Sequence, residues 1–379
     1  MTAIAAVGHY RRQMRRRSVE RVERQVVALV HEGLGWSELS LRVGDALRST
    51  VPFDHACWHT VDPSTFMFTG VTKDSLQDEL RLPYHEYAIP DVNQWTDLAK
   101  RRVPVGVLSA TTDGAPERSA RFRELLQPLG IGDEMRAAFV TRGACWGACG
   151  IFRDREHGEF DADDAAVLAR IAPHLADGFR RALRLGAAGG GESGPGVTLF
   201  APSGAVDSMD PVAEKHLAAL VGAGPDPEAV APVVAAVAER ARRGGQGPPA
   251  KARVRTTDGG WLVLYGTRLG GDADRVAVLS EPAGPADLWP LVAAAYGLTD
   301  RERDVAVACM RGRSTTEIAA SMFVSPYTVQ DYLTSMFDKV GVRSRRALVA
   351  RIFFEHYWEP VLDGHSPDSR GRLSRRHDV

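Results

Sequence analysis

Between residues 186 and 196 the chain reads GAAGGGESGPG. A run this dense in glycine cannot carry a core through itself, because each glycine loses more backbone freedom on ordering than any other residue. It is expected to be a flexible linker that divides the 379 residues into separately folded units of ordinary domain length. A second break, GGQGPPA at 244–250, runs straight into strand-like sequence and reads as a loop inside the second unit. Residues 363–379 carry Gly, Ser, Pro and Arg with almost no apolar side chain, so a disordered tail is expected there. No repeat of solenoid length is visible.

The formal net charge is -1, so any contact with nucleic acid has to come from a local patch. Four scattered cysteines (Cys57, Cys145, Cys149, Cys309) make no disulfide framework and fit a reducing compartment. No apolar run reaches the roughly 18 residues of a membrane helix. The basic start (Arg11, Arg12, Arg15, Arg16, Arg17) lacks the apolar core of a secretory signal. A cytoplasmic chain with no membrane partner is expected, its early arginines forming a solvated helix face.

In the first unit, residues 20–185, Val22, Val26, Leu29 and Val30 fall at helix spacing. Strand-like pieces follow at 55–61, 66–71, 135–141 and 144–152, with turns at Asp62-Pro63-Ser64 and Arg142-Gly143, before a closing helix marked by Phe160, Val167, Leu168, Ile171 and Leu175 runs to about residue 185. This is an α+β arrangement, an antiparallel sheet bracketed by helices. The phrases VPFDHACWHTVDPSTFMFTG and FDADDAAVLARIAPHLADGFRRAL resemble a GAF sensor domain. The second unit, 197–282, opens with a strand at 197–201 and a helix at 210–221 capped by Asp210 with Pro211 behind it. Strands at 252–256, 261–267 and 276–280 follow, the first two joined at Asp258-Gly259. This order resembles a short PAS-type module.

Catalytic chemistry is hard to find in these units. Cys145 and Cys149 on one strand would share a face, but four residues of rise set them about 13 Å apart, too far for one zinc ion at roughly 2.3 Å per sulfur bond. They read as small buried residues. His55 and His59 share a strand face and could touch a ligand, although such pairs more often form an ordinary half-buried surface. No phosphate loop, Gly-x-Ser-x-Gly elbow or His-Glu-x-x-His helix occurs. No enzyme activity, metal or cofactor is expected.

After a linker helix at 283–297, the pattern sharpens over 298–354. Thr299 with Glu302 forms a capping box for a first helix whose stripe is Val305, Ala308 and Cys309, ended by Gly312. Ser314 or Thr315 starts a second short helix containing Glu317, Ile318, Ala319 and Met322. A turn at Phe323-Val324 leads to Ser325, the cap of a third helix with Pro326 at its first position and Val329, Leu333, Met336 and Phe337 inward. Gly341 ends it, and Ser344 opens a fourth helix with Ala347, Leu348, Ile352 and Phe353. Two short helices joined by a tight turn can lay the second in a DNA major groove. Tyr327, Gln330, Asp331 and Thr334 would then face outward, where Gln can pair with adenine and Asp can accept from cytosine. Five basic residues and no acid lie between Lys339 and Arg351, so phosphate contacts are expected there, from Lys339, Arg343 and Arg345.

The matched residues Leu298-Thr299-x-Arg301-Glu302, Gly312, Glu317-Ile318-Ala319, Ser325-x-x-Thr328-Val329, Lys339 and Val342-x-x-Arg345 resemble the LuxR-type (LuxR/FixJ) four-helix DNA-binding domain. That resemblance implies a scaffold helix at 315–322, a recognition helix at 325–340 with Ser325 and Thr328 at its DNA-facing start, and a dimer through the fourth helix. Many members carry Lys, Asn or His where this chain has Gln330, Asp331 and Tyr332, so its bases cannot be copied from theirs. The expected whole is a transcription regulator that binds specific double-stranded DNA. It would act as a homodimer, since one recognition helix reads few bases, with a small-molecule effector at the front and RNA polymerase as a further contact. The rival readings are a sensor enzyme with an accessory helix-turn-helix, or a dimeric DNA-binding protein that needs no ligand.

Overall fold

In the computed structural model the described residues are 2–74, 82–87, 89–182, 194–220, 232–244, 250–257, 260–270, 274–353, 365–367 and 373–375. Most of the glycine-rich run, the 244–250 loop and the Asp258-Gly259 turn lie outside them.

The first unit begins with helices α1 (Thr2–His31) and α2 (Trp36–Arg48). Its strands are β1 (His55–Val61), β2 (Phe68–Asp74), β3 (Val105–Val107), β4 (Ile131–Thr141) and β5 (Ala144–Asp154). Short helices α3 (Leu82–Tyr87), α4 (Trp95–Leu98) and α5 (Leu108–Thr111) lie between β2 and β4, and α6 (Ala162–Ala182) closes the unit. The strands form one antiparallel sheet in the order β2-β1-β5-β4-β3. Arg142 and Gly143 both take positive φ (52° and 74°), the requirement of a two-residue hairpin whose twist suits its strands. One face packs under α1, α2 and α6 through Trp58, Phe139, Ile151 and Phe179. The other carries Cys57, Ala138 and Phe152 and faces α3 and α4.

One expectation for this sheet fails. Cys145 and Cys149 lie on opposite faces, in different cores, because a β-bulge between Phe139 and Val140 sets Trp146 out of register and reverses the alternation. Burial pushes the Cys145 thiol up to about 12 and raises Cys149 as well, so neither is a ready thiolate.

The second unit contains β6 (Gly196–Phe200), β7 (Val206–Met209), α7 (Pro211–Ala218), α8 (Pro232–Arg243), β8 (Lys251–Arg255), β9 (Trp261–Arg268) and β10 (Val276–Pro282). Its sheet order, β7-β6-β10-β9-β8, repeats that of the first unit strand for strand, a kinship that pattern reading did not reveal. Asp210 caps α7 by accepting from the amides of Val212 and Ala213, both at 2.8 Å. The two units meet at Arg253 on β8, whose guanidinium donates to Asp62 Oδ2 and Ser64 Oγ of the first unit, each at 2.7 Å.

Helix α9 (Pro285–Ala295) belongs to two cores. Leu288, Leu291 and Ala294 pack with Trp261 and Val263 and join the helical core of the first unit. Ala293, with Trp289 and Tyr296 beside it, packs with the final domain. Its ends are tied to both units. Lys251 Nζ and Tyr265 OH hold Asp287 Oδ1 at 2.8 and 3.1 Å, and Arg253 donates to the Asp287 carbonyl. At the other end Arg180 and Arg142 donate to the carbonyls of Ala295 (2.8 Å) and Tyr296 (3.1 Å), filling two of the acceptors that a helix end leaves open. The final domain consists of α10 (Asp300–Met310), α11 (Thr315–Met322), α12 (Pro326–Val340) and α13 (Arg345–Phe353). Most of residues 363–379, where composition points to no order, lie outside the described residues; within them β11 (His365–Pro367) pairs antiparallel with β12 (Leu373–Arg375). A ladder of this kind is made by backbone groups alone, which composition does not register. Among the described residues no helix is long and apolar enough to cross a membrane.

Candidate nucleic-acid interface

Each helix of the final domain starts where a local side chain can satisfy its free amides. Thr299 Oγ1 accepts from the Glu302 amide while Glu302 Oε2 accepts from the Thr299 amide at 2.7 Å. Ser314, not Thr315, is the cap of α11, with the same reciprocal bonds to Glu317. Ser325 Oγ accepts from the Thr328 amide at 3.1 Å, Pro326 occupies the first turn of α12, and Gly341 closes that helix at φ 74°. Ser344 Oγ receives the Ala347 amide. The helices enclose one core, formed by Val305, Ile318, Val329, Leu333, Met336 and Leu348 among others.

With Val329, Leu333, Met336 and Val340 inward, the opposite side of α12 is left to solvent. Tyr327 (80% exposed), Gln330, Asp331 and Thr334 all stand on it. Thr334 Oγ1 donates to the Gln330 carbonyl within the helix. Thr328 is half-buried at the helix start, its hydroxyl against that of Ser325.

The basic residues divide. Arg343 is exposed. Arg345 donates to the Arg313 carbonyl and so ties the start of α13 to the loop before α11. Lys339 is turned inward, its Nζ 2.8 and 2.6 Å from the two carboxylate oxygens of Glu302. Glu302 also accepts from Ser335 Oγ at 2.6 Å. Burial alone would raise the Glu302 carboxyl, but the hydrogen bonds from Lys339, Ser335 and Thr299 outweigh it and hold the group below its ordinary value. One buried carboxylate thus caps α10 and braces the far end of α12. The capping half of this was legible from Thr-x-x-Glu spacing, whereas the brace joins residues 33 and 37 positions apart.

Comparison with known proteins bears on this same segment. Residues 297–352 match the family described as bacterial regulatory proteins, luxR family. Over 55 residues the chain is 34% identical to the spore germination protein GerE of Bacillus subtilis, covering 74% of that protein and 14% of this chain. The chain belongs to the luxR family. Its helix-turn-helix is also 48% identical over 52 residues to Rv0890c of Mycobacterium tuberculosis, named as an HTH-type transcriptional regulator. The match takes in 14% of this chain and only 6% of that relative's length. Of solved structures, the Vibrio cholerae VqmA dimer is 12% identical and covers 42% of this luxR-family chain and 82% of its own (TM-score 0.19). The R. palustris bacteriophytochrome RpBphP3 is 12% identical over 69% and 62% (TM-score 0.29). Likeness at that level carries no argument, and the fold of the front units rests on their own strand order. Membership of the luxR family is carried by residues 297–352, the DNA-binding helix-turn-helix of this chain.

The front unit holds a second cluster of polar groups, which no motif announced. On the sheet face toward α3 and α4, Glu134 accepts from Arg121 Nη2 at 2.6 Å and from Arg136 Nε at 2.8 Å, and Arg136 Nη1 reaches Glu86 at 3.0 Å. All four are buried. Burial pushes the Glu86 carboxyl up to about 7 against the pull of Arg136 and Arg121. His59 is buried beside them, stacked on Phe68 at 4.3 Å and held neutral by burial, with its pKa down at about 3. His55 sits apart at the strand's start, half-buried against Asp154. The two histidines therefore form no joint site.

Proposed function

We propose that this regulator reads an inverted-repeat DNA site as a homodimer and is controlled by a small-molecule signal acting on its front units, which we take as GAF-like (20–185) and PAS-like (197–282). The observation that carries the DNA-reading half is the exposed polar side of α12 on a fully capped, fully packed helix-turn-helix. Gln330, Asp331, Thr334 and Tyr327 face base edges. Ser325 and Thr328 lie at the helix start, where free amides favour phosphate. Of the basic residues, Arg343 contacts phosphate, Lys339 braces the recognition helix through Glu302, and Arg345 holds α13. RNA polymerase is a further contact of the bound dimer. The signal-sensing half is supported by the His59 ring nitrogens and Arg136 Nη2, buried groups with no hydrogen-bond partner among the described residues, which a bound polar molecule would satisfy.

The test is a titration of full-length protein against a duplex selected from a random pool and against a scrambled duplex, at several salt concentrations. Gln330→Ala should cost about 1–3 kcal/mol on the selected duplex and little on the scrambled one. Arg343→Ala should weaken both and lower the salt slope by about one unit. Equal loss on both duplexes for Gln330→Ala would remove it from the reading face. A monomer footprint on a single half-site would remove the dimer.

A further inference from the structure

Four helices in and beside the DNA-binding domain end in a left-handed residue. Three of those residues are glycine: Gly297 after α9 (φ 69°), Gly312 after α10 (φ 77°) and Gly341 after α12 (φ 74°). This is the residue that adopts the conformation without a Cβ penalty. The exception is α11, which ends on Phe323 at φ 57°, ψ 43°. A bulky side chain in this region is an outlier that costs stability. The ring does not offset that cost inside the fold. Its neighbours Met322 and Val324 pack on the domain core, but Phe323 does not join them, and it is 95% exposed, the highest value among the exposed large hydrophobic residues that are described. Next comes Tyr327 at 80%, four residues on and in the first turn of α12. Among the described residues, the two most exposed aromatic rings thus flank Ser325, the cap of α12. A cleft of about 700 Å³ beside Phe323 is rimmed by Arg301, Arg311 and Arg313 against a single acid, Asp304, so the surroundings suit a polyanion.

From this position we infer that Phe323 is a specificity-determining residue, packing its ring on the 5-methyl group of a thymine at the edge of the half-site. The inference rests on the DNA-reading role proposed for α12. Thymine alone presents a methyl group in the major groove, and apolar side chains read it. Phe323 stands two residues before the cap of α12 and Tyr327, on the exposed side of that helix, two residues after it, and a strained, solvent-exposed aromatic residue gains its worth when DNA covers it. This residue was absent from the sequence-based set because a turn position between helices reads as a connection.

The decisive variant is Phe323→Gly, with Phe323→Asn as its companion, since both residues accept the left-handed conformation. Full-length variants should unfold thermally no earlier than the parent chain. They should bind the selected duplex about fourfold more weakly, the worth of one buried methyl group. Replacing the thymines of that duplex one at a time by deoxyuracil, which lacks the methyl, should reveal one position where the parent loses about fourfold and the glycine variant loses nothing further. Unchanged binding by both variants, or the same deoxyuracil profile in parent and variants, overturns the inference and leaves the ring for a protein partner. If the parent chain selects no duplex, the DNA-reading role falls and this inference falls with it.

Discussion

Glu86 in the first unit and Glu302 in the DNA-binding domain are both nearly closed to solvent, but Glu86 lies much deeper in the protein, and their carboxyls shift in opposite directions. Glu86 shares Arg136 with Glu134, so burial wins and its acid form is favoured. Glu302 has Lys339, Ser335 and the Thr299 cap to itself, so the partners win and the anion is favoured. Depth of burial and the number of donors per carboxylate together set the outcome. The front unit places an over-acidic polar network inside its sheet, whereas the DNA-binding domain internalises one satisfied carboxylate and keeps its other polar groups for a partner.

The harshest way to break this contrast is Arg136→Leu, which leaves Glu134 and Glu86 buried beside an apolar group. Urea unfolding should show a loss of about 3–5 kcal/mol in the first unit, with the helix-turn-helix transition unmoved. Glu302→Ala removes a cap and the partner of Lys339 together, and should cost the DNA-binding domain about 2 kcal/mol. Trp289, packed against that domain, provides the fluorescence readout.

A pH series sharpens the comparison without mutation. Glu86 titrates higher in the fold than in the unfolded chain, so its contribution is fully present below the ordinary carboxylate range and is lost as pH rises toward about 7. Glu302 titrates lower in the fold, so its contribution is present above that range and is lost as pH falls through its depressed folded value. Followed by hydrogen exchange of β4 and of α10, the Glu86 contribution should fall with pH between the ordinary carboxylate range and about 7, and the Glu302 contribution should rise with pH below that range. Glu86→Gln should flatten the first slope alone.

The smallest effect is expected where the regions join. Arg142→Ala and Arg180→Ala each remove one donor from the end of α9 and should cost about 0.5–1.5 kcal/mol. Because α9 is shared between the front core and the DNA-binding core, the double variant should also let the DNA-binding domain reorient faster in NMR relaxation while its isolated fold is unchanged. Identical relaxation in the parent and the double variant would show that the apolar stripe of α9 holds the domains together without the arginines.

The sequence by itself determined what depends on neighbours within a turn or two. The caps Thr299 and Ser325, the stops Gly312 and Gly341, the outward set Gln330, Asp331 and Thr334, and the Arg142-Gly143 hairpin all follow from spacings of a few residues, because capping and amphipathicity are local forces. Only the tertiary structure decided how groups far apart in the chain meet. Arg136 reaches Glu86 across 50 positions, Arg253 reaches Asp62 across 191, and Lys339 reaches Glu302, 37 residues earlier. The bulge at Trp146, which sends Cys145 and Cys149 to opposite faces, belongs here too. An ion pair or a register shift has no period for a pattern to reveal, since it depends on which surfaces the packed core brings within hydrogen-bond distance.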